Sequence, residues 1–439
     1  MKQEEKDRLN RETDCRHWLL RLALGCKAAT TNWMKAVVLA IYIFLAWLLL
    51  NSYTDVIALP ESDLISPVFH LIVPMIVPAV CAGGLLLVII LLGTPMGLGS
   101  SISGFQRIGL INHAGETPML LMTRKDKLNP RVSVMEFEAN SIPKSLWEAK
   151  RDMIEAALNL NIVKIDEGKD KRRLILYTVP ANNKLPQSIF WKDEYLSKNS
   201  FELVLGEGFI GQVKVNLARI PHILLGGSTG SGKSVLLKLL IMQCVKKGDK
   251  VYIADFKGGV DFPAAWHEKC GIVTQEKDLL NTLTDIVDEL EYRKVKLLAD
   301  GCSNIDEFNK VSENSLRRII FACDEVAEML DKNGLSKENK EIVARIESKL
   351  SVIARQGRAF GIHLILATQR PDATILAGQI RSNMDYRICG RADHVLSQII
   401  LDNTTAADQI TKDAQGRFIT HDGTVFQGYL FDERAAFRR

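Results

Sequence analysis

The chain has 439 residues, enough for two or three domains and at least one large core, so its size excludes no class of enzyme. Its formal net charge is +4; residues 1–93 contain 8 Lys/Arg and 8 Asp/Glu, so residues 94–439 account for all of it. This balance excludes recognition of nucleic acid through overall basicity, and any such contact must use local charge.

The eight cysteines form no C-x-x-C pair, so neither a zinc site nor a disulfide framework is indicated, and we expect buried thiols in a reducing compartment.

Two apolar segments follow an N-terminal segment, residues 1–32. Residues 33–50 contain one charge and residues 71–93 contain none, and each is close to the roughly 20 residues that cross a bilayer. Helices buried in a soluble domain would need a large protein surface around them, and a cleaved signal peptide is disfavoured because many polar residues precede the first segment. We therefore predict a transmembrane hairpin over residues 33–93.

The orientation of this hairpin follows from its basic residues. All eight Lys/Arg that precede the end of the second span lie in residues 1–35, whereas the intervening loop has Asp55, Glu61 and Asp63 and no basic residue. The positive-inside rule then places both termini in the cytoplasm, with the protein in the cell membrane.

The next part of the chain is a predicted linker and a small domain. Residues 94–124 begin with the Gly/Ser-rich stretch TPMGLGSSISG, which is typical of a flexible tether. Within residues 125–199, strand patterns at 132–139, NIVKI and RRLILYTV and a helical pattern at 145–159 predict a small α+β domain. Nothing in it indicates catalysis, so by itself it would be an adaptor.

Residues 200–439 alternate between apolar strands and helices. The strand patterns PHILLGG, VYIAD, RRIIFACDE and GIHLILATQ lack polar alternation and are separated by helical patterns. Such strands are typical of a mainly parallel sheet covered by helices on both faces. The predicted fold class is therefore α/β.

A phosphate-binding loop lies between the first of these strands and the helix that follows. The sequence GSTGSGKS at 227–234 satisfies G-x-x-x-x-G-K-[ST] in the required strand-loop-helix context. Backbone N–H groups and the helix N-terminus would bind phosphate, Lys233 would reach the β- and γ-phosphates, and Ser234 would bind Mg²⁺. The predicted ATP-binding residues of the loop are Gly227, Ser228, Thr229, Gly230, Ser231, Gly232, Lys233 and Ser234.

Acidic residues at the end of another strand indicate hydrolysis. Asp324 and Glu325 follow RRIIFAC, where Asp324 would hold Mg²⁺ and Glu325 would polarise the attacking water. A nucleotide switch does not require that adjacent glutamate. Gln369 ends GIHLILATQ and could sense the γ-phosphate or position water, although alone it is also an ordinary polar strand end.

These motifs together resemble the FtsK/SpoIIIE family of membrane-anchored DNA-pumping ATPases. The similar segments are IPHILLGGSTGSGKS, VYIADFKGGVDF, RRIIFACDE, ARQGRAFGIHLILATQRPD and RICGRADHVLSQIILD. The resemblance implies a RecA-like motor domain that forms a homohexameric ring around DNA. It also implies that Arg358 reaches the nucleotide of a neighbouring subunit, with a helix-end role as the alternative; Arg387 and Arg391 are weaker candidates for inter-subunit or phosphate contacts.

Within the family, the two spans, the small domain and the single motor are most similar to conjugative coupling proteins of Gram-positive mobile elements. That resemblance implies DNA of undetermined strandedness as the substrate and a relaxase as a possible partner. Chromosome-pumping members carry more spans and a C-terminal winged-helix domain, so sequence-directed chromosome transport is not expected. Lys257, Arg370 and Arg381 follow sheet strands and are candidate DNA contacts, but each could equally be a solvated charge.

Three functions remain open at this point. The first is an ATP-driven DNA translocase of conjugation. The second is a type VII-like protein secretion ATPase, which shares the motor family but usually carries several motors in tandem. The third is a nucleotide-dependent membrane scaffold without motor activity, against which Glu325 argues.

Overall fold

The first unit of the chain, Met1–Asn182, opens with three long helices. The structure is a computed structural model that describes residues 3–57, 66–95, 98–126, 129–369 and 378–437. The elements of this unit are α1 (Gln3–Thr31), α2 (Trp33–Ile57), α3 (Ser66–Leu92), α4 (Leu98–Arg107), β1 (Met119–Lys125), β2 (Ser133–Glu138), α5 (Lys144–Ala149), α6 (Arg151–Leu158), β3 (Leu160–Glu167) and β4 (Arg173–Pro180).

Two of the long helices are candidate membrane spans. The stretches Trp33–Ser52 and Ile72–Leu92 are long and apolar enough to cross a bilayer, with mean hydropathies of 2.2 and 2.8. Both predicted spans are therefore helices of suitable length and composition.

Helix α1 was not predicted, because residues 1–32 lack a clear apolar period. It is tied to the rest of the unit by Arg21, whose buried guanidinium Nη1 donates to the carbonyl oxygens of Gly93 (3.2 Å) and Leu121 (3.1 Å). Such long-range contacts leave no local pattern in the sequence.

A four-stranded antiparallel sheet, ordered β1-β2-β4-β3, forms the small domain of this unit. Its core contains Phe105, Phe137 and Trp147, with ring centroids 5.3 to 5.5 Å apart. Because Phe105 belongs to α4 and β1 pairs with β2, most of the predicted flexible linker is instead structured. The predicted helix at 145–159 is two helices, α5 and α6, that meet at Lys150.

The second unit, Asn183–Arg439, holds the predicted motor. Residues 183–199, assigned from the sequence to the small domain, belong to this unit, where β5 pairs with β15. Its strands are β5 (Ile189–Phe190), β6 (Glu202–Gly208), β7 (Gly211–Asn216), β8 (Ile223–Gly226), β9 (Lys250–Ala254), β10 (Gly271–Val273), β11 (Ile319–Cys323), β12 (Ile362–Thr368), β13 (Tyr386–Cys389), β14 (Arg417–Thr420) and β15 (Val425–Leu430). Its α-helices are α7 (Lys233–Lys246), α8 (Ala264–His267), α9 (Glu276–Ala299), α10 (Ile305–Val311), α11 (Val326–Leu330), α12 (Lys337–Gln356), α13 (Gly378–Arg381), α14 (His394–Leu401), α15 (Thr405–Gln409) and α16 (Glu433–Ala436).

These strands form one large mixed sheet in the order β10-β9-β11-β12-β8-β13-β14-β15-β6-β7, with β5 beside β15. The six strands from β10 to β13 are parallel, and β14, β15, β6 and β7 extend the sheet with antiparallel pairs. The mainly parallel α/β prediction is confirmed for the strands that carry the sequence motifs.

The parallel strands are buried on both faces of the sheet. One core packs α9, α12 and α14 against alternate strand residues such as Phe321 and Leu364. The other packs α7 against the intervening residues, including Ile320 and Ile365. Burial on both sides explains why these strands are apolar without alternation, and it fixes the carboxyl ends of β8, β11 and β12 along one edge.

The eight cysteines differ in their surroundings. Cys244, Cys270, Cys323 and Cys389 are buried in the motor unit, Cys81 and Cys302 are half-buried, and Cys15 and Cys26 are exposed on α1. Burial raises the pKa of the Cys244 and Cys323 thiols above their usual range, which keeps them protonated and unreactive. The prediction of buried thiols is therefore right for four cysteines and wrong for the two on α1.

Candidate nucleotide site

The loop between β8 and α7 has the backbone conformation that its glycines allow. Gly230 and Gly232 have φ angles of +76° and +96°, in a region that residues with a Cβ rarely adopt. Helix α7 begins directly after Gly232 and is 14 residues long, so its free N–H groups and its dipole are directed at the loop. The strand-loop-helix context predicted from the sequence is present.

Neighbouring elements form hydrogen bonds to backbone atoms of this loop. The Ser228 N–H donates to the carbonyl oxygen of Arg391 (2.7 Å), and Arg391 Nη2 donates to that of Thr229 (2.6 Å). The Gly416 N–H donates to the carbonyl oxygen of Ser231 (2.9 Å). Arg391, a candidate for inter-subunit or phosphate contacts, thus supports the loop of its own chain.

Lys233 and Ser234 meet Asp324 at the edge of the sheet. Lys233 Nζ donates to Asp324 Oδ1 (2.9 Å), and Ser234 Oγ is 2.9 Å from Oδ1 and 3.1 Å from Oδ2. The side chains of Lys233 and Asp324 are only 3% and 4% exposed, so this ion pair is shielded from solvent. Burial alone would raise the pKa of the Asp324 carboxyl, but the Lys233 ammonium and the hydrogen bonds from Lys233 and Ser234 lower it below its usual range.

Glu325 is held by the end of the adjacent strand β12. Its Oε1 accepts from Thr368 Oγ1 (2.8 Å) and its Oε2 accepts from the Gln369 N–H (2.9 Å). The side-chain Oε1 of Gln369 in turn accepts from Thr229 Oγ1 (2.8 Å) in the phosphate loop. The structure therefore joins Glu325, Gln369 and the loop in one hydrogen-bond network at the carboxyl edge of the sheet.

Thr368 was not singled out from the sequence. The one available signal was its hydroxyl at the end of an otherwise apolar strand, where β11 and β12 lie side by side. Because that pairing is set by the tertiary fold, the partner of Thr368 could not be identified from local sequence.

Arg358 does not join this cluster within one chain. It lies in a 3₁₀ turn, Gly357–Phe360, before the amino end of β12, and its Nε donates to the carbonyl oxygen of Ala218 (3.1 Å), which precedes β8. Since β8 and β12 are parallel, Arg358 is at the opposite edge of the sheet from the phosphate loop. Its side chain is exposed there.

The other basic candidates have acidic partners where the structure describes them. Arg381 and Arg387 both form ion pairs with Asp402. Lys257 Nζ lies 3.3 Å from Asp324 Oδ2 and 3.3 Å from Asp261 Oδ2, so it belongs to the edge cluster and is not an isolated solvated charge. Arg370 falls outside the described residues.

The oxygen atoms at this edge suit a magnesium ion. Mg²⁺ prefers hard oxygen ligands and usually combines one or two protein groups with phosphate oxygens and water. Ser234 Oγ and the Asp324 carboxylate supply such ligands, and Asp255 follows the end of β9 beside β11. Asp255 Oδ2 is buried and has no hydrogen-bond partner among the described residues, as expected of a carboxylate that would hold a metal-bound water.

A cavity of about 190 Å³ adjoins the first turn of α7. It is lined by Gln187, Ser188, Gly232, Val235, Leu236, Gln415, Gly416, Phe418, Gln427, Gly428, Tyr429 and Leu430. Apolar and backbone atoms form its interior, and amide side chains are present in its lining. A cavity of roughly 150 Å³ holds benzene, so this open space is adequate for a flat aromatic base.

Comparison with known proteins places these motifs in a family context. Residues 190–373 match the FtsK/SpoIIIE family. The DNA translocase FtsK of Chlorobaculum tepidum is 32% identical over 237 residues, a match that covers 49% of this chain and 28% of that protein. FtsK of Streptococcus agalactiae serotype V is 31% identical over 261 residues, covering 54% of this chain and 30% of FtsK. These matches thus span less than a third of either relative.

A solved structure extends the similarity beyond the motor. The pCW3 conjugation coupling protein TcpA, in a monomer form with ATPγS, is 35% identical, and the match covers 78% of this chain and 97% of that chain with a TM-score of 0.59.

Proposed function

The chain belongs to the FtsK/SpoIIIE family of P-loop ATPases, and from this membership we propose that it is a membrane-anchored, ATP-driven DNA translocase of conjugative transfer. The observation that carries the ATPase part is the cluster of Lys233, Ser234, Asp324 and Glu325 beside the phosphate loop. The similarity to TcpA, a conjugation coupling protein, supports the choice of conjugation over chromosome transport.

The proposed ATP chemistry uses side chains that follow the carboxyl ends of three strands, β8, β11 and β12. On nucleotide binding, Lys233 moves its ammonium from Asp324 to the β- and γ-phosphates, and the loop N–H groups bind the remaining phosphate oxygens. Ser234 and Asp324 hold Mg²⁺, which when bound neutralises negative charge on the phosphates. Glu325 accepts the proton of the water that attacks the γ-phosphorus, the bond from that phosphorus to the β–γ bridging oxygen breaks, and ADP leaves. Gln369 couples the γ-phosphate to Thr229.

The cavity beside α7 is the proposed binding site for the nucleoside part of ATP. Because the loop fixes the phosphates at the N-terminus of α7, the base must extend past the first turn, where Val235 and Leu236 line the cavity. The apolar lining favours a planar ring, and the nearby amides can bond to its edge. ATP is the proposed nucleotide.

Arg358 is proposed to act on a neighbouring subunit in a homohexamer. Its exposed position opposite the phosphate loop fits a surface that reaches another copy of the chain. A guanidinium supplied in this way stabilises transition-state charge only after assembly, which couples hydrolysis to the ring.

The membrane hairpin and the substrate complete the proposal. The two apolar helices would anchor the motor in the cell membrane with both termini in the cytoplasm, and a relaxase is a candidate partner for transfer of the DNA. Six copies multiply each local basic contact, so a chain of weak net charge can still hold a DNA backbone. Arg381 and Arg387 are already paired with Asp402 and are poor candidates for such contacts.

The test is ATP hydrolysis by the full chain in lipid nanodiscs at low salt, with and without single- or double-stranded DNA. We expect at least one form of DNA to raise the rate, and Glu325→Gln to abolish hydrolysis while retaining nucleotide binding. Hydrolysis that neither DNA stimulates would contradict translocation and favour a protein-secretion ATPase. Conjugative transfer that survives Lys233→Ala would instead favour the scaffold.

A further inference from the structure

We propose that Lys257 is a positioning residue that occupies Asp324 in the nucleotide-free protein and transfers to Asp261 when the metal–nucleotide complex binds. The consequence is that free metal ion is kept out of the site until nucleotide arrives. This inference rests on the proposed nucleotide function, and it assigns to Lys257 a role in the order of ligand entry.

Each carboxylate oxygen of Asp324 has an ammonium group nearby. Lys233 Nζ lies 2.9 Å from Oδ1 and Lys257 Nζ lies 3.3 Å from Oδ2, and Ser234 Oγ contacts both oxygens. One carboxylate with a side-chain exposure of 4% is therefore shared by two ammonium groups. A divalent cation that used Asp324 would meet both positive charges at close range, so both lysines must withdraw before or as it binds.

The two lysines have different destinations. Lys233 belongs to the phosphate-loop motif, and its ammonium is attracted to the phosphates of a bound nucleotide. Lys257 already has a second partner, since its Nζ lies 3.3 Å from Asp261 Oδ2. A small shift of its ammonium toward Asp261 preserves one ion pair while it gives up the other.

The backbone around Lys257 allows that shift. The Lys257 N–H donates to Asp255 Oδ1 (3.0 Å), which fixes the start of the loop to the end of β9. The next two residues, Gly258 and Gly259, have φ angles of +81° and +78°, and a Cβ at Gly258 would lie in open space. The loop that carries Asp261 can therefore adjust while the backbone root of Lys257 stays in place.

This arrangement makes metal entry depend on nucleotide. Without nucleotide, Lys233 and Lys257 together neutralise Asp324 and compete with free metal. When phosphates attract Lys233, the remaining ion pair to Lys257 involves a side chain that is 38% exposed and is easier to displace. Lys257 thus sets the metal affinity of the empty site.

The first test measures binding of Mn²⁺, as a probe for Mg²⁺, to the full chain in nanodiscs without nucleotide, by electron paramagnetic resonance. We expect Lys257→Met to tighten Mn²⁺ binding about five- to tenfold, as removal of a competing ion pair predicts. The matched control is Lys250→Met, at the amino end of β9 and away from the carboxyl edge of the sheet, which should leave Mn²⁺ affinity unchanged. An unchanged or weaker affinity in Lys257→Met overturns the proposal.

The second test uses Asp261→Asn to remove the destination of Lys257. This variant should weaken Mg²⁺-dependent binding of a fluorescent ATP analogue and leave its binding in EDTA unchanged. The effect should vanish in the Lys257→Met/Asp261→Asn double variant, because no ammonium then needs a new partner. If Lys257→Met instead weakens analogue binding in EDTA as well, Lys257 is a phosphate ligand and the proposal is wrong.

These outcomes separate the inference from the proposed function. If the wild-type protein bound no ATP analogue with or without Mg²⁺, the proposed ATPase function would fail. If it bound the analogue normally and Mn²⁺ affinity did not respond to Lys257→Met, only the role of Lys257 would fail.

Discussion

At the scale of single residues, Glu325 depends on its neighbours for its orientation. A carboxylate on a strand end has several rotamers, and three donors, Thr368 Oγ1, the Gln369 N–H and the more distant Ala327 N–H (3.4 Å), select one of them. The Gln369 side chain then reaches Thr229, so a change in the loop can be transmitted to Glu325. Thr368 therefore contributes to the orientation of the Glu325 carboxylate.

We predict that Thr368→Val lowers kcat for ATP on the order of tenfold with little change in KM. Valine keeps the branched shape of threonine but removes the donor to Glu325 Oε1, which leaves the acid less well oriented for the attacking water. Steady-state ATPase assays measure both constants. Thr368→Ser is the control and should stay near wild type, because it retains the hydroxyl; a loss equal to that of Thr368→Val would argue against the hydrogen bond.

At the scale of elements, the amino ends of β8 and β12 are joined by two buried histidines. The Leu364 N–H donates to His222 Nδ1 (2.9 Å), and His363 Nδ1 lies 3.0 Å from the carbonyl oxygen of Pro221. The Nε2 atoms of both rings are buried. Burial lowers the pKa of His222 to about 4, and burial together with His222 and Arg318 lowers the pKa of His363 well below its usual value.

This pair predicts acid sensitivity of the motor unit. An unfolded histidine binds a proton near pH 6.5, whereas folded His222 stays neutral down to about pH 4 and the pKa of His363 also lies well below its usual value. The free energy of unfolding therefore falls as the pH decreases below 6.5. The maximum slope is about 1.4 kcal/mol per pH unit for each histidine. Above pH 7 the pair has no effect on pH dependence.

Thermal unfolding of the full chain at pH values from 7.5 to 4.5 measures this effect. We expect the Tm to fall steadily below pH 6.5, and His222→Gln to reduce that slope. His421→Gln, at an exposed histidine, should leave the slope unchanged. A Tm that does not vary over this range would contradict the predicted role of the pair.

The elements show which features a single sequence can predict. Burial on both faces of the sheet makes its central strands uniformly apolar, and burial on one side makes the covering helices periodic. These patterns predicted strands β8, β9, β11 and β12 and helices α7, α9 and α12. Helices α1 and α4 and strand β1 were missed because they are held by distant partners, such as Arg21 to Leu121, and their local patterns are weak. The Gly/Ser run at 94–104 also suggested flexibility where Phe105 in fact anchors a core.

In the candidate nucleotide site, too, local sequence predicts some features and distant partners determine the others. The loop, Asp324, Glu325 and Gln369 were predicted because each motif ends a parallel strand, and those ends meet at one edge. Thr368, Lys257 and the support of the loop by Arg391 depend on pairings between elements distant in sequence. Local pattern identifies the residues of such a site but not the bonds between them.

At the scale of the whole molecule, the cations beside the phosphate loop within one chain include Lys233, Lys257 and Arg391, and the Arg391 guanidinium is already bound to the carbonyl oxygens of Thr229 and Lys412. Arg358 lies at the opposite edge of the sheet, where its Nε donates to the carbonyl oxygen of Ala218 before β8. If the motor forms a ring, each interface combines the loop of one chain with Arg358 of the next. Hydrolysis would then be a property of the interface.

That arrangement predicts complementation between two inactive variants of the full chain. Lys233→Ala should lose its own nucleotide site but keep Arg358, and Arg358→Ala should keep its site but lose the residue it offers to a neighbour. In rings assembled from an equal mixture, about a quarter of the interfaces would pair an intact site with an intact arginine. The mixture should therefore regain ATPase activity that neither variant has alone, and Arg358→Lys should not substitute for the arginine, because a lysine lacks its planar fork. A mixture no more active than its components would show that Arg358 does not act across subunits, while hydrolysis by Arg358→Ala alone would make it dispensable.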